Sequence, residues 1–455
     1  MTTSVTQGDK ILVVGLGKTG LACARYLAAR GLAFAVTDSR DDPPGLKQLR
    51  EELPDVPIFI GGFKPELFAA VDQLVVSPGV SLREPLIRAA RERGVPLLGD
   101  IELFARALTE GAKTPLVAVT GSNGKSTVTT LVGEMARAAG TKVAVGGNLG
   151  SPALELLDPA VQLYVLELSS FQLDTTQSLQ ADAAVVLNVS PDHMDRYADL
   201  DAYSTSKATI YRGAAIGVIN RDDPRVAAMA DIPRQQLGFT LEPPQGEDFG
   251  ICRQAGAAWL CQGRTPLLAV SELLIPGRHN QANALAALAL GKAVGLPLPA
   301  MQQTLRSFRG LPHRTQFVAE KRQLRWYNDS KGTNVGATIA ALEGMHPERG
   351  DSRTLLIAGG DCKGADFTSL APVVERTARA VILIGRDAPV LETVLQGRVE
   401  LVHAGSLAEA VELAVGLGRA GDRVLLSPAC ASFDMFRNFE ARGEAFVKAV
   451  EALAA

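Results

Sequence analysis

Apolar residues in this chain come in short unbroken runs, among them Ile11-Leu12-Val13-Val14, Leu116-Val117-Ala118-Val119 and Leu355-Leu356-Ile357-Ala358, separated by longer stretches of mixed character. Runs of this kind are strands covered on both faces, and the stretches between them read as the crossover helices of parallel βαβ units. The pattern predicts an α/β fold. Helices are expected over residues 21–29, 128–139 and 283–294, with a shorter one over 301–308. Residues 231–275 carry Pro233, Pro243 and Pro244 without a helical period, and short strands and loops are expected there. Three apolar runs end in turns rich in glycine or small residues, near residues 15, 121 and 359, each expected to open a helix. Breaks near Gly99 and Gly310 then give three α/β units over residues 1–99, 100–310 and 311–455.

Composition narrows this to ordinary globular protein, since 47% hydrophobic and 21% charged residues fit neither disorder nor a membrane protein. No apolar run reaches the ~18 residues of a membrane span. Residues 1–10 are polar and lack the charged-then-apolar order of a signal sequence, so the cytoplasm is expected. A formal net charge of -3 gives no electrostatic reason for a nucleic-acid or membrane partner, so any bound phosphate must be held by local loops. The cysteines Cys23, Cys252, Cys261, Cys362 and Cys430 contain no C-x-x-C pair and are odd in number; neither a disulfide framework nor a zinc site is expected.

The central turn is such a loop. An apolar run over 115–119 leads into Thr120-Gly121-Ser122-Asn123-Gly124-Lys125-Ser126-Thr127, followed by helical composition. In that setting Gly121 and Gly124 let backbone N–H groups point inward, and the helix N-terminus adds positive potential. Lys125 supplies charge to the β- and γ-phosphates, and Ser126 can ligate Mg2+. The spacing departs from the usual nucleotide loop, because Val119 stands five before Gly124 where glycine is usual. Downstream, Tyr164-Val165-Leu166-Glu167-Leu168 puts a carboxylate into a buried-looking strand, and the apolar run over 183–189 is followed by Asp192 and His193. A charge on an apolar strand needs a partner, and beside a phosphate loop Mg2+ is the better explanation. Taken by itself, Lys207 reads as a solvated helix residue.

The segment 120–127 resembles the ATP loop of the Mur ligases and of their relative folylpolyglutamate synthetase. Further segments carry the resemblance over nearly the whole chain: Gly146-Gly147-Asn148, Glu167-Leu168-Ser169-Ser170-Phe171-Gln172-Leu173, Asn188, Asp192-His193-Met194-Asp195-Arg196-Tyr197 and Lys207. Later come His279-Asn280 with Asn283, Leu311-Pro312-His313-Arg314, Asn328-Asp329-Ser330-Lys331, Gly359-Gly360-Asp361 and Ser427-Pro428-Ala429-Cys430-Ala431-Ser432. Together they look like the members that add D-glutamate. The resemblance implies a Rossmann-like first domain, a central domain of the P-loop ATPase type and a Rossmann-like third domain. It implies an ATP-dependent carbon–nitrogen ligase of peptidoglycan precursor synthesis, joining D-glutamate to UDP-N-acetylmuramoyl-L-alanine through an acyl phosphate. Such an enzyme is expected to be a cytoplasmic monomer acting on small molecules. ATP would be held by Gly121, Ser122, Asn123, Gly124, Lys125, Ser126 and Thr127, with Asn283, Arg314, Asp329 and Lys331 reaching it across a domain gap. Two Mg2+ ions are implied on Ser126, Glu167 and His193, with Lys207 carbamylated by CO2 into an anion near them. Lys125, His193 and Lys207 would carry the chemistry.

In the first unit, Gly15-Leu16-Gly17-Lys18-Thr19-Gly20 after a strand, with Asp38 ending the next, fits the dinucleotide fingerprint and taken alone favours an NAD-dependent oxidoreductase. The separate ATP loop weighs against that reading, and the metal ligands weigh against a non-catalytic nucleotide-binding scaffold. By the resemblance the guest is the UDP half of a sugar nucleotide. Its diphosphate would lie over Gly17, Lys18 and Thr19 and its uracil or ribose at Asp38 and Ser39. Ser77, Gly79, Asn148, Gln172 and His193 would complete the site. Folylpolyglutamate synthetase lacks a first domain of this type.

In the third unit a strand over 325–328 is expected to end in a polar loop, and a buried strand over 354–358 to end at Gly359-Gly360-Asp361. By the resemblance Thr333, Lys363, Ser432, Phe433 and Phe439 form the D-glutamate pocket; alone, Lys363 reads as a solvated loop charge. Asp222-Asp223-Pro224-Arg225 looks like the Asp-Asn-Pro-Arg signature of diaminopimelate-adding members. That signature belongs in the C-terminal domain, so this one, after a central strand, reads as a turn.

Overall fold

The computed structural model describes residues 8, 10–111, 113–346 and 351–454. Of the polar stretch 1–10 only Gly8 and Lys10 are among them, and Ala112, in the loop expected after residue 108, is not. Three sheets divide the chain. The first is parallel throughout, in the order Ile58–Phe59, Phe34–Thr37, Ile11–Val14, Gln73–Val76, Leu97–Leu98. Ile11–Val14 is buried at every position, which is why its sequence is apolar without alternation.

The second sheet is mixed and nine-stranded; within it Leu116–Thr120 has Leu163–Glu167 on one side and Ala183–Val186 on the other. Val143–Gly147 closes one edge; Ile216–Asn220 and Gln235–Phe239 continue the parallel part on the other. Phe249–Gln254, Ala257–Gln262 and Thr265–Ala269 then run antiparallel as hairpins, as the proline-bearing sequence of this region leads one to expect. Here the cysteine expectation fails: Cys252 and Cys261 are joined as a disulfide. They sit on antiparallel neighbours, a proximity created by strand pairing that motif spacing does not reveal.

The third sheet runs Gln316–Lys321, Leu324–Asn328, Arg423–Leu426, Thr354–Gly359, Ala378–Ile384, Glu400–His403, with only its first pair antiparallel. Helices Lys18–Ala29, Lys125–Ala138 and Arg278–Ala293 each begin before the expected start, because their first turns are polar and carry no apolar period. The turn at Gly359 opens no helix directly. Asp361 instead pairs in a bridge with Ala431, drawing the chain toward the neighbouring loop, and helical structure resumes only at Thr368–Leu370. Among the described residues no helix is long and apolar enough to cross a membrane.

Helix Asp100–Glu110 locks the first sheet to the second. Its Phe104 meets Tyr164 edge-on at 5.2 Å, and both share one core with Leu21, Ala24 and Leu27 of the first helix. The interlock buries Asp100, whose carboxylate accepts from Gln172 Nε2 at 2.9 Å through one oxygen while the other has no partner. Burial pushes its pKa up to about 6. A carboxyl whose folded pKa lies above its unfolded value stabilises the fold most below pH ~4, and that contribution is lost as pH rises through about 6. Asp100→Asn is therefore expected to be more stable than the parent at pH 8, by at most about 3 kcal/mol, with the gap closing toward pH 4. Urea unfolding at the two pH values checks this; a gap independent of pH would refute it.

Candidate functional site

Ligands of open α/β sheets gather at the carboxyl ends of the strands, and here the second and third sheets bring those ends together. Leu116–Thr120 delivers the loop 121–124, and helix Lys125–Ala138 follows. Gly124 is left-handed at φ 85°, and a Cβ there would strike the Asn283 amide oxygen. Asn188, at the end of the neighbouring strand, clamps the loop by accepting from Asn123 N–H at 2.8 Å and donating to the Asn123 carbonyl at 3.1 Å. Lys125 folds back on its own loop, with Nζ donating to the carbonyls of Gly121 (2.8 Å) and Ser122 (3.0 Å).

Strand register places Glu167 beside Val119. Its carboxylate accepts from Ser126 Oγ at 2.5 Å and from Asn148 Nδ2 at 2.6 Å. Arg314, from the loop leading into the third sheet, donates to the same Ser126 hydroxyl at 2.6 Å. Of these groups the Ser126 hydroxyl and the Glu167 carboxylate are hard oxygen ligands beside a phosphate loop, the kind that suit Mg2+ carried on a polyphosphate. His193, left-handed at φ 57°, packs edge-on against Phe171 at 4.8 Å. Partial desolvation lowers its pKa although 43% of the side chain is exposed, so the neutral imidazole that a metal needs is favoured at neutral pH.

Lys207 is not solvated as its helical setting suggests. It is 1% exposed, donates to the Gly121 carbonyl at 2.9 Å and lies 4.4 Å over the Tyr203 ring. Burial, reinforced by the Lys125 charge, drives its pKa well below the usual lysine range. Burial likewise lowers Lys125 and Arg314, and brings Lys331, 4.0 Å over Phe439, to about 8. Asp329 is pushed up to about 6 by burial while accepting from Ser427 Oγ (2.7 Å) and Thr315 N–H (2.9 Å). A cavity of about 340 Å3 runs between the sheets, lined by Asn123, Gly124, Thr127, Asn283, Arg314, Asp329 and Lys331 among others.

A second cavity, about 480 Å3, opens at the carboxyl end of the first sheet and brings together Gly17, Lys18, Thr19, Asp38, Ser39, Ser77 and Gly79. Lys18 also reaches the second sheet's region, donating to the Gly150 carbonyl at 2.5 Å. Asp38 is already engaged: it accepts from Leu16 N–H at 2.7 Å and from the Arg40 guanidinium at 2.7 and 2.9 Å. Gln172 lies outside both cavities. It is 2% exposed, caps the helix Ser170–Leu173 through Ser169 and donates to Asp100.

In the third sheet the Asp361–Ala431 bridge brings the loops of Lys363 and Ser432 side by side. Lys363 Nζ lies 5.4 Å from the Phe433 ring, itself 66% exposed; Thr333 N–H donates to the Lys331 carbonyl at 2.8 Å, and Lys331 lies over Phe439. Sequence reasoning assigned no role to Arg40, which lines the first cavity. It also missed Asn334, whose Nδ2 donates to Asn123 (3.2 Å) and Asp192 (3.1 Å) across the domain gap. Arg442 is buried, donating to Ser330 Oγ (3.0 Å) and to the Cys430 carbonyl (3.1 Å), so it ties two site loops together. Only the polar residue types were visible in the sequence; the partners are set by the fold.

Three family profiles cover most of the chain: the Mur ligase MurD-like N-terminal domain over residues 9–99, the Mur ligase middle domain over 119–291, and the Mur ligase glutamate ligase domain over 313–430. The chain is 57% identical over 440 residues to a UDP-N-acetylmuramoylalanine–D-glutamate ligase of Nitrosococcus oceani, covering 96% of each. It is 53% identical over 449 residues to the protein of that name in Marinobacter nauticus, covering 99% of each. The solved UDP-N-acetylmuramate-alanine ligase of Thermotoga maritima shares the fold, with TM-score 0.60 and 20% identity over 98% of this chain and 99% of that one.

Gly124→Ala is expected to leave the fold intact and weaken nucleoside triphosphate binding at least ~tenfold. The methyl group meets left-handed strain of ~1 kcal/mol or more and displaces the Asn283 amide from the cavity wall. Calorimetric titration beside an unchanged circular dichroism spectrum checks it; wild-type affinity would refute it.

Proposed function

The chain belongs to the Mur ligase family, and from that premise we propose that it joins D-glutamate to UDP-N-acetylmuramoyl-L-alanine at the expense of ATP. The observation that carries this reading is the convergence on Ser126. One hydroxyl of the phosphate loop is shared by a carboxylate from the second sheet and a guanidinium from the entry to the third. A polyphosphate there would be gripped from both sides.

In the proposed reaction an oxygen of the lactoyl-alanine carboxylate attacks the γ-phosphorus of ATP, the bond to the bridging oxygen breaks, and ADP leaves. The amine of D-glutamate then attacks the carbonyl of the acyl phosphate, and the tetrahedral intermediate collapses by expelling phosphate as the nitrogen loses its proton. Lys125 exchanges the carbonyls of Gly121 and Ser122 for the β- and γ-phosphates, and Arg314 neutralises charge on the transferring group. When bound, Mg2+ would supply further neutralisation, one ion on Ser126 and Glu167 and a second near His193.

Lys207 is proposed to be carbamylated. CO2 adds only to a neutral amine, and burial favours the neutral form of this one. The resulting anion would be attracted by the Lys125 charge that disfavours an ammonium there. Lys207→Ala is expected to be nearly inactive and partly restored by a small added carboxylate, and 13C-labelled CO2 should give a carbamate resonance in the parent only. A silent spectrum of the active, ligand-bound enzyme would refute this.

D-Glutamate carries two carboxylates and needs two donor clusters. Lys363 on one loop and Ser432 with its backbone neighbours on the adjoining loop supply them, and the Asp361–Ala431 bridge supports this pairing. Removing Lys363 would leave a carboxylate unpaired, a loss of about 2 to 5 kcal/mol, or roughly thirty-fold to several-thousand-fold. Lys363→Ala should show it as a raised KM for D-glutamate, with ATP and the muramoyl nucleotide little affected. The function itself is tested by phosphate release, expected only when ATP, the muramoyl nucleotide and D-glutamate are all present. Equal turnover of L-alanine and D-glutamate, or saturable NADH binding, would overturn it.

A further inference from the structure

The segment after His193 carries one side chain that the chemistry above does not use. Arg196 turns back on His193, its backbone N–H donating to the His193 carbonyl at 2.8 Å. Its guanidinium lies 4.3 Å over the Phe171 ring, the same ring that meets the His193 imidazole edge-on. From that perch it reaches into the first sheet's territory and donates to the carbonyls of Pro78, Gly79 and Val80 at 3.3, 3.4 and 3.0 Å. Those residues form the turn that walls the 480 Å3 cavity. Arg83, just beyond the turn, returns a bond to the Asp195 carbonyl at 3.4 Å.

We propose that Arg196 is a positioning residue, holding the wall of the first cavity at a set distance from His193 so that a substrate anchored in one place presents its far end in the other. The inference rests on the proposed function in that a single substrate spans both places. A guanidinium suits this role, because its planar fork of donors serves several carbonyls at once and stacking on a ring fixes the plane. Polar contacts between domains otherwise leave them free to shift. A shift of about 1 Å far from the reacting atoms can cost ~10²-fold in rate. Arg196 therefore acts on alignment of the bound sugar nucleotide and leaves its anchoring to Gly17, Lys18 and Thr19.

The test is Arg196→Ala and Arg196→Lys in the full chain. Phosphate release is measured with each substrate varied in turn, and UDP binding by calorimetry, since UDP fills the first cavity alone. Turnover at saturation is expected to fall at least ~tenfold in Arg196→Ala and by less in Arg196→Lys, while KM for ATP and D-glutamate and Kd for UDP stay within about twofold. Unchanged turnover overturns the inference. So does a loss of UDP affinity matching the loss of turnover, because Arg196 then only shapes the turn, and so does a rise of every KM together. A wild type that releases no phosphate with all three substrates overturns the proposed function and the inference with it; an active wild type beside an equally active Arg196→Ala overturns the inference alone.

Discussion

Like charges held out of water within one small space are the constraint on which the rest of this structure depends. Lys125, Lys207, Arg314 and Lys331 all lie around the loop 121–124, and burial makes each of them a weaker base than usual. Against them stand Glu167, Asp192 and Asp329, and burial pushes Asp329 toward its neutral form. With Lys207 favouring its neutral form, the remaining cations Lys125, Arg314 and Lys331 are costly to group in a poorly solvated pocket, and a polyanion is the ligand that lowers that cost most. Lys125 softens the cost meanwhile by turning to two backbone carbonyls. Binding of a nucleoside triphosphate would supply the counter-charge that this pocket lacks, and so stabilise the fold that holds it.

The fold was legible where local sequence determines structure. The apolar runs become strands because both faces of a parallel sheet are covered, and the strand–loop–helix at residues 116–138 carries its phosphate chemistry within eight consecutive positions. What depends on distant partners was not legible. Lys207 reads as a surface helix charge because Gly121 and Tyr203, which bury it, are remote or carry no sign of their role. The Cys252–Cys261 pairing depends on strand register.

Gln172 shows a different limit. Its sequence signature, a serine three residues ahead, marks a capping box, and the structure uses it that way, with its remaining donor on Asp100. Asp38 is similar: an acid at the end of the second strand fits a ribose, yet here it straps Leu16 and Arg40 together. Asp38 lines the first cavity while holding its wall together, and Gln172 sits behind the cavities in the packing between sheets; a motif alone does not separate these settings. Arg442 works at the same remove, joining the loops of Ser330 and Cys430 from a helix that otherwise looks like packing.

The division of the chain into three sheets has a consequence for how its selectivity can change. The phosphate loop comes from the end of Leu116–Thr120 and Glu167 from the end of Leu163–Glu167, while Arg314, Asp329 and Lys331 line the same cavity from the side of the third sheet, to which the loops at Gly359 and Ser427 also belong. Those loops are joined to each other by the Asp361–Ala431 bridge rather than to the phosphate loop. The Ser427 loop nevertheless reaches the phosphate cavity, because Ser427 Oγ donates to Asp329 in its wall, so changes at the Gly359 loop are the ones expected to leave that cavity undisturbed.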